Sequence, residues 1–144
     1  RQLFQFIGEL DSMAILFCQN NFNQVPLLMD LQDVVDSGNR ALAAGDRAAW
    51  KEQSEQFHVV FYRHAQNCYL NEAAAKLRAR LEVLSCMYYY QDQNVEMIHQ
   101  GHIDMYELVK AGDFQKAAEE MRQHLQRDMA FALKAYAAYQ ARNH

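Results

Sequence analysis

The fold of this chain is decided by residues 111–125, AGDFQKAAEEMRQHL. Gly112 and Asp113 predict the end of one helix and the start of the next. Glycine tolerates the left-handed conformation that ends a helix, and an aspartate side chain accepts the unpaired N–H groups of a following first turn. Beyond this turn Met121 and Leu125 recur at helical spacing, so an amphipathic helix is predicted there.

The same turn signal recurs at Gly45-Asp46, and apolar residues follow a helical period along nearly the whole chain. Nothing in it is typical of a strand. The sequence therefore predicts an all-α fold, an antiparallel bundle of about six helices with short connections. The predicted helices run over about Leu3–Gln19, Pro26–Ala44, Arg47–Ala65, Tyr69–Tyr90, Asn94–Ala111 and from the Asp113 cap to about Ala141.

Two local features add detail to this prediction. In the first helix Phe6, Leu10, Met13 and Phe17 share one face, which we expect to be buried. After the third helix Asn67 is expected to adopt the left-handed conformation that asparagine tolerates at a helix end.

Composition restricts the class of protein. The 144 residues carry 14 basic and 18 acidic side chains, a net charge of −4, which is the wrong sign for a domain that grips nucleic acid by its phosphates. No apolar run approaches the ~20 residues that span a bilayer. Cys18, Cys68 and Cys86 lack disulfide or zinc spacing and predict free thiols in a reducing, cytoplasmic compartment. The abrupt start at Arg1 leads us to expect that residues 1–144 are one domain of a longer protein.

Three histidines are predicted to face a common interior. His58, His102 and His124 each fall on the apolar face of a different helix, whereas His64 and His144 are expected in solvent and His99 at the margin. A single inward histidine is usually a hydrogen-bonded core residue. Three converging imidazoles would each need a buried partner, and one divalent ion would satisfy all three.

Two other interpretations remain open at this point. Glu55-x-x-His58 and Glu96-x-x-His99, with Glu9 and either Glu72 or Glu82, would supply the ligands of a ferritin-like di-iron enzyme. This alternative leaves His102 and His124 without a role. A bundle that only dimerises, with the histidines in its core, is the second alternative. Beyond the di-iron pattern no nucleophile with a matched base is present, so no enzyme is predicted.

The ordered set of residues resembles the FadR C-terminal (FCD) domain of GntR-type transcription regulators. In that family a Phe-His pair precedes Asn-x-x-Leu, a histidine then opens a helix that ends in Gly-Asp, and Ala-x-x-x-Met-x-x-His-Leu closes the pattern. The matching residues are Phe57-His58, Asn67, Leu70, His102, Gly112-Asp113, Ala117, Met121 and His124-Leu125. The resemblance is good from about Ala44 to Leu125 and loose in the first helix, where either Glu9 or Asp11 takes the family's acidic position.

The resemblance implies a domain that senses a small molecule and forms homodimers. It implies that DNA is bound only through an attached winged-helix domain, which would lie before Arg1. In many members an aspartate one turn before the first histidine joins three histidines in holding zinc or nickel, and a small carboxylate effector fills the open coordination. His58, His102 and His124 map onto the three histidines.

Ser54 stands where those members have the aspartate. A neutral hydroxyl is a poorer ligand than a carboxylate, so the resemblance implies a weakened metal site. Glu55 could substitute for the aspartate, and the simpler interpretation leaves it in solvent. Arg80 falls near a position where members often carry arginine, and we assign it, with Ser54, to binding of the effector.

Overall fold

The computed structural model describes residues 1–85 and 92–144, and that part of the chain forms six α-helices without a strand. The helices are α1 (Gln2–Cys18), α2 (Val25–Ala43), α3 (Arg47–Ala65), α4 (Cys68–Ser85), α5 (Asp92–Lys110) and α6 (Phe114–Asn143). The all-α prediction is confirmed, and the observed boundaries lie close to the predicted ones. The predicted end of the fourth helix at Tyr90, like Cys86, lies outside the described residues.

The two Gly-Asp turns have the predicted geometry. Gly45 and Gly112 take positive φ angles of 69° and 83°. Asp46 Oδ1 accepts a hydrogen bond from the backbone N–H of Ala49 at 3.0 Å, and Asp113 Oδ1 accepts one from that of Lys116 at 3.1 Å. Each turn reverses the chain between two consecutive helices. As a result α2 packs against α3, and α5 packs against α6.

The junction between α3 and α4 differs from the prediction. Gln66, not Asn67, adopts the left-handed conformation, with φ 56°. Asn67 instead begins α4, because its Oδ1 accepts a hydrogen bond from the backbone N–H of Leu70 at 3.0 Å. An asparagine oxygen that satisfies a free N–H is worth about 1 kcal/mol to a helix start, which explains its position here.

The face of α1 that packs into the core agrees with the prediction only in part. Leu10 is buried and Phe17 packs against the core as expected, whereas Phe6 is 52% exposed and Met13 41% exposed, and Ile7 is buried instead. The α1 sequence is apolar on several sides, so its period alone does not select a face. Packing on α6 decides the face, and Gly8 lies on the side of α1 that meets Leu125 of α6.

The core lies where α1, α3, α5 and α6 meet, and α1 also contacts α4. Cys18 and Cys68 are free thiols. In the described residues no helix has the length and apolar character needed to cross a membrane. The largest fully buried side chains are Ile7, Ile15, Leu27, Leu31, Trp50, Phe57, Phe61, Ile98, Met105, Met121 and Leu125.

Candidate metal centre

Three helices bring one histidine each to the same point of the core. His58 of α3, His102 of α5 and His124 of α6 are all buried, and one ring nitrogen from each lies within 4.8 Å of the other two. The convergence predicted from the helical faces is therefore present. We call this group the three-histidine cluster.

Two members of the cluster face each other directly. Nε2 of His102 lies 3.1 Å from Nε2 of His124. The Phe57 ring stacks on a face of the His102 ring, with the ring centroids 4.3 Å apart. Burial and the neighbouring His58 lower the pKa of both rings well below the usual histidine range, so both are neutral at pH 7. Neutral imidazoles offer a lone pair, which is what a metal requires.

His58 is held by a carboxylate of α1. Its Nδ1–H donates to Oδ2 of Asp11 at 2.9 Å, while Tyr62 donates its hydroxyl hydrogen to Oδ1. Burial acts to raise the pKa of Asp11, but the Arg78 charge and these hydrogen bonds lower it to about 2. The resulting carboxylate fixes the His58 tautomer and leaves Nε2 free as a ligand. Asp11, not Glu9, is thus the acidic residue of α1 at the site.

Arg78 ties α4 to this carboxylate. Its Nη1 donates to Asp11 Oδ1 at 2.7 Å and its Nε to Glu55 Oε1 at 2.9 Å, and it is 7% exposed. The sequence analysis favoured a solvated Glu55 and gave Arg78 no role. Arg80 is in fact exposed, on a surface formed with Tyr69 and Glu72, and the structure does not place it at the cluster.

Asp128 is a further buried carboxylate that sequence reasoning missed. It is 3% exposed, and its Oδ2 lies 3.6 Å from Nε2 of His124. Its Oδ1 has no hydrogen-bond partner in the described part of the chain. Burial raises the pKa of Asp128 to about 8. The sequence feature that could have revealed it is its position four residues, or one helical turn, after His124, which places both side chains on the same face of the helix.

Ser54 lies beside the cluster, as expected from its place on α3. It is buried, and its Oγ has no hydrogen-bond partner among the residues the structure describes. With His102 it lines a cavity of about 10 Å³, which has room for about one water molecule.

The residues of the di-iron alternative do not come together. His99 accepts a hydrogen bond from Trp50 at 3.3 Å on Nδ1 and lies 2.6 Å from Asn39 Oδ1 through Nε2. Glu96, Glu72 and Glu82 are exposed, and Glu9 pairs with Arg122 at the surface. In residues 1–85 and 92–144 only the three-histidine cluster has the spacing of a metal site.

The remaining histidines lie away from the cluster. His144 is exposed at the chain end, as expected. His64 was expected in solvent, but its side chain is 17% exposed and its Nε2 lies 2.6 Å from Oδ2 of Asp30. That contact stabilises the packing of α3 on α2 and takes no part in the site.

The chemistry of the cluster fits a divalent transition metal. Three neutral imidazoles match the ligand preference of zinc and nickel, and a carboxylate behind His58 is the usual support of a metal-binding histidine. The unpartnered oxygen of Asp128 is a polar atom whose burial is costly without a partner.

The family model of the FCD domain matches residues 2–127. No curated protein matches the sequence significantly.

Proposed function

The chain belongs to the FCD domain family, the FadR C-terminal effector-binding domains of GntR-type transcription regulators, and from this premise we propose that it senses a small carboxylate through a divalent metal. The observation that carries the proposal is the spacing of the three-histidine cluster, whose ring nitrogens lie within 4.8 Å of one another.

His58, His102 and His124 would hold the metal, either zinc or nickel. When bound, the ion supplies a positive charge and a coordination position at which a carboxylate can replace water. Asp11 orients the His58 ring, and Phe57 keeps the His102 ring in place and excludes water from that side. These contacts hold the His58 and His102 rings near the positions that a metal requires, which reduces the cost of binding it.

The effector would enter beside Ser54. Among residues 1–85 and 92–144 its Oγ, a buried hydroxyl, has no hydrogen-bond partner, and it is available to a ligand carboxylate. The cavity at this point is about 10 Å³, too small for an organic acid. An effector therefore has to displace side chains that now pack between α3 and α5, and this displacement is how its presence would reach the rest of the bundle.

The remaining parts of the proposal concern partners. We infer that the domain works as a cytoplasmic homodimer and reports to DNA through an attached winged-helix domain. The apolar side chains that α1 turns to solvent, Phe6 and Met13, support an interface with a second copy of the chain.

Elemental analysis of the purified chain tests the metal centre. We expect about one zinc or nickel per chain, and we expect chelation to remove it and to lower the melting temperature, because a ligand that binds only the folded state stabilises it. His102→Ala should abolish both effects, and His144→Ala, at an exposed position, should change neither.

Two results would overturn the proposal. The metal centre would be contradicted if the purified chain contains no metal and a chelator leaves its melting temperature unchanged. Small carboxylates would then be screened for direct stabilisation of the chain. Two metal ions per chain would also contradict a single-ion centre.

A further inference from the structure

Ser54 leaves the site one carboxylate short of the ligand set that the family resemblance implies. Three imidazoles give zinc three of the four ligands that it usually has in proteins. The described residues place three carboxylates near the cluster, those of Asp11, Glu55 and Asp128, and their contacts decide which of them is available.

Asp11 and Glu55 are already engaged. Both oxygens of Asp11 are used, since Oδ2 accepts from His58 and Oδ1 accepts from Tyr62 and Arg78. Glu55 binds Arg78 and lies 27% exposed at the edge of the bundle. Recruiting either one as a ligand would leave the Arg78 guanidinium buried with a single partner, which is costly.

Asp128 is the carboxylate that is free. Its side chain is 4% exposed and its Oδ1 has no hydrogen-bond partner in the part of the chain that the structure describes. The distance of 3.6 Å between its Oδ2 and His124 Nε2 is too long for a good hydrogen bond. Asp128 also lies one residue beyond the 2–127 segment that matches the family model, so the family pattern assigns it no role.

The distances fit a shared ion. Two ligands of one tetrahedral zinc, each about 2.0–2.1 Å from it, are separated by about 3.3 Å. The His102–His124 nitrogens, at 3.1 Å, and the His124–Asp128 pair, at 3.6 Å, both lie close to that separation. The histidine nitrogens span up to 4.8 Å, so the group has to contract around an ion, and the Asp128 side chain has to move with it.

We propose that Asp128 is the fourth protein ligand of the metal, a carboxylate that α6 supplies in place of the one missing at Ser54. The effector carboxylate would then take a fifth position, an expansion that zinc allows. The inference rests on the proposed metal centre. It makes His124 and Asp128, which lie one helical turn apart on α6, a pair of ligands. Their four-residue spacing equals that between Ser54 and His58, the positions on α3 that match the family's aspartate and first histidine.

Zinc titration of the metal-free full chain against a competing chromophoric chelator measures how much zinc affinity is lost when the Asp128 carboxylate is removed. Asp128→Asn keeps the side-chain volume and should weaken zinc binding at least about tenfold. Asp104→Asn makes the same charge change at an exposed carboxylate of α5 and should leave zinc affinity unchanged. Without metal, Asp128→Asn should melt no lower than the parent chain, because it removes a buried carboxylate that lacks a partner.

A second variant tests the same position by gain of a signal. Asp128→Cys, loaded with Co²⁺, should show a thiolate-to-cobalt charge-transfer band that the parent chain and Asp104→Cys do not show. Adding Ser54→Asp to Asp128→Asn should restore zinc affinity, since the carboxylate then returns from α3.

The outcomes separate this inference from the proposed function. If the parent chain binds zinc and Asp128→Asn binds it equally well, or if Asp128→Cys gives no charge-transfer band with bound cobalt, then Asp128 is not a ligand and the three-histidine centre stands. If the parent chain binds no zinc, the proposed metal centre itself fails.

Discussion

Asp11 and His58 are joined by a hydrogen bond of 2.9 Å between Oδ2 and Nδ1, although 47 residues separate them in the chain. The bond connects α1 to α3 and decides which nitrogen of His58 is free. Because Nδ1 carries the hydrogen, Nε2 keeps its lone pair for a metal.

The first prediction concerns this bond. Asp11→Asn should lower zinc affinity by about 10- to 100-fold, because the amide no longer fixes the tautomer of His58. It should also destabilise the fold, since Arg78 loses a buried charge partner. Zinc competition titration and urea unfolding measure the two effects. Glu9→Gln is the matched control, because Glu9 pairs with Arg122 at the surface, where such pairs contribute little. Equal effects at Glu9 and Asp11 would contradict the assignment.

The second prediction separates the two arginines of α4. Arg78→Met should lower the free energy of unfolding by about 3–5 kcal/mol, because it leaves the buried Asp11 carboxylate without its guanidinium. Arg80→Met, at an exposed position on the same helix, should change it by less than about 0.5 kcal/mol. Urea unfolding at pH 7 measures both. A larger loss from Arg80→Met would show that the exposed arginine carries the interaction.

The third prediction concerns the backbone beside His124. A Cβ at Gly101 would lie 2.9 Å from Nδ1 of His124, so Gly101→Ala should displace that ring and weaken zinc binding. Gly38→Ala creates a similar contact, 2.8 Å from Cε1 of His99, which lies outside the three-histidine cluster. It should change the melting temperature without changing zinc affinity. Unaltered zinc affinity in Gly101→Ala would mean that His124 is not a ligand.

The fourth prediction is a pH dependence of the metal-free chain. Burial lowers the pKa of His102 and His124 well below 6.5, so below that pH the unfolded chain binds protons that the folded chain does not. Their contribution to stability is complete above pH 6.5 and is lost as the pH falls. Burial raises the pKa of Asp128 from 3.8 to about 8, and its contribution is lost as the pH rises through that range.

Below pH 6.5 the loss of stability from the two histidines exceeds the gain from the aspartate, so stability falls as the pH falls. Above pH 6.5 only the aspartate changes the stability, which falls as the pH rises. Stability should therefore be greatest near pH 6.5, with a slope of up to about 1.4 kcal/mol per pH unit on each side. Urea unfolding of the chelated chain between pH 5 and 8 measures the curve. Asp128→Asn should remove the alkaline decline, and a decline of the same size in that variant would contradict the role given to Asp128.

The fifth prediction concerns the exposed face of α1. Phe6 is 52% exposed and Met13 41% exposed on a helix whose other faces pack into the core. If the proposed homodimer uses this face, Phe6→Asp should convert it to a monomer, because the substitution places a charge in an apolar interface. Light scattering after gel filtration measures the mass. Phe22→Asp, in the segment between α1 and α2, should leave the dimer intact, and a monomeric parent chain would refute the interface.

The sequence alone determined the helices, the two Gly-Asp turns and the inward direction of three histidines. These features depend on local chemistry. Gly112 and Asp113 end and begin helices through their own backbone and side chain, and the 3.6-residue period places His58 on the same side as Phe57 and Phe61 whatever packs against it.

Only the tertiary structure decided which residues surround the histidines. The α1 sequence is apolar on several sides, and its packing against α6 and α3 selected the face that buries Asp11 and exposes Phe6. Arg78 and Arg80 are two residues apart on one helix, and only the contact with Asp11 distinguishes them. Such choices depend on contacts between residues far apart in the chain, which local periodicity does not encode.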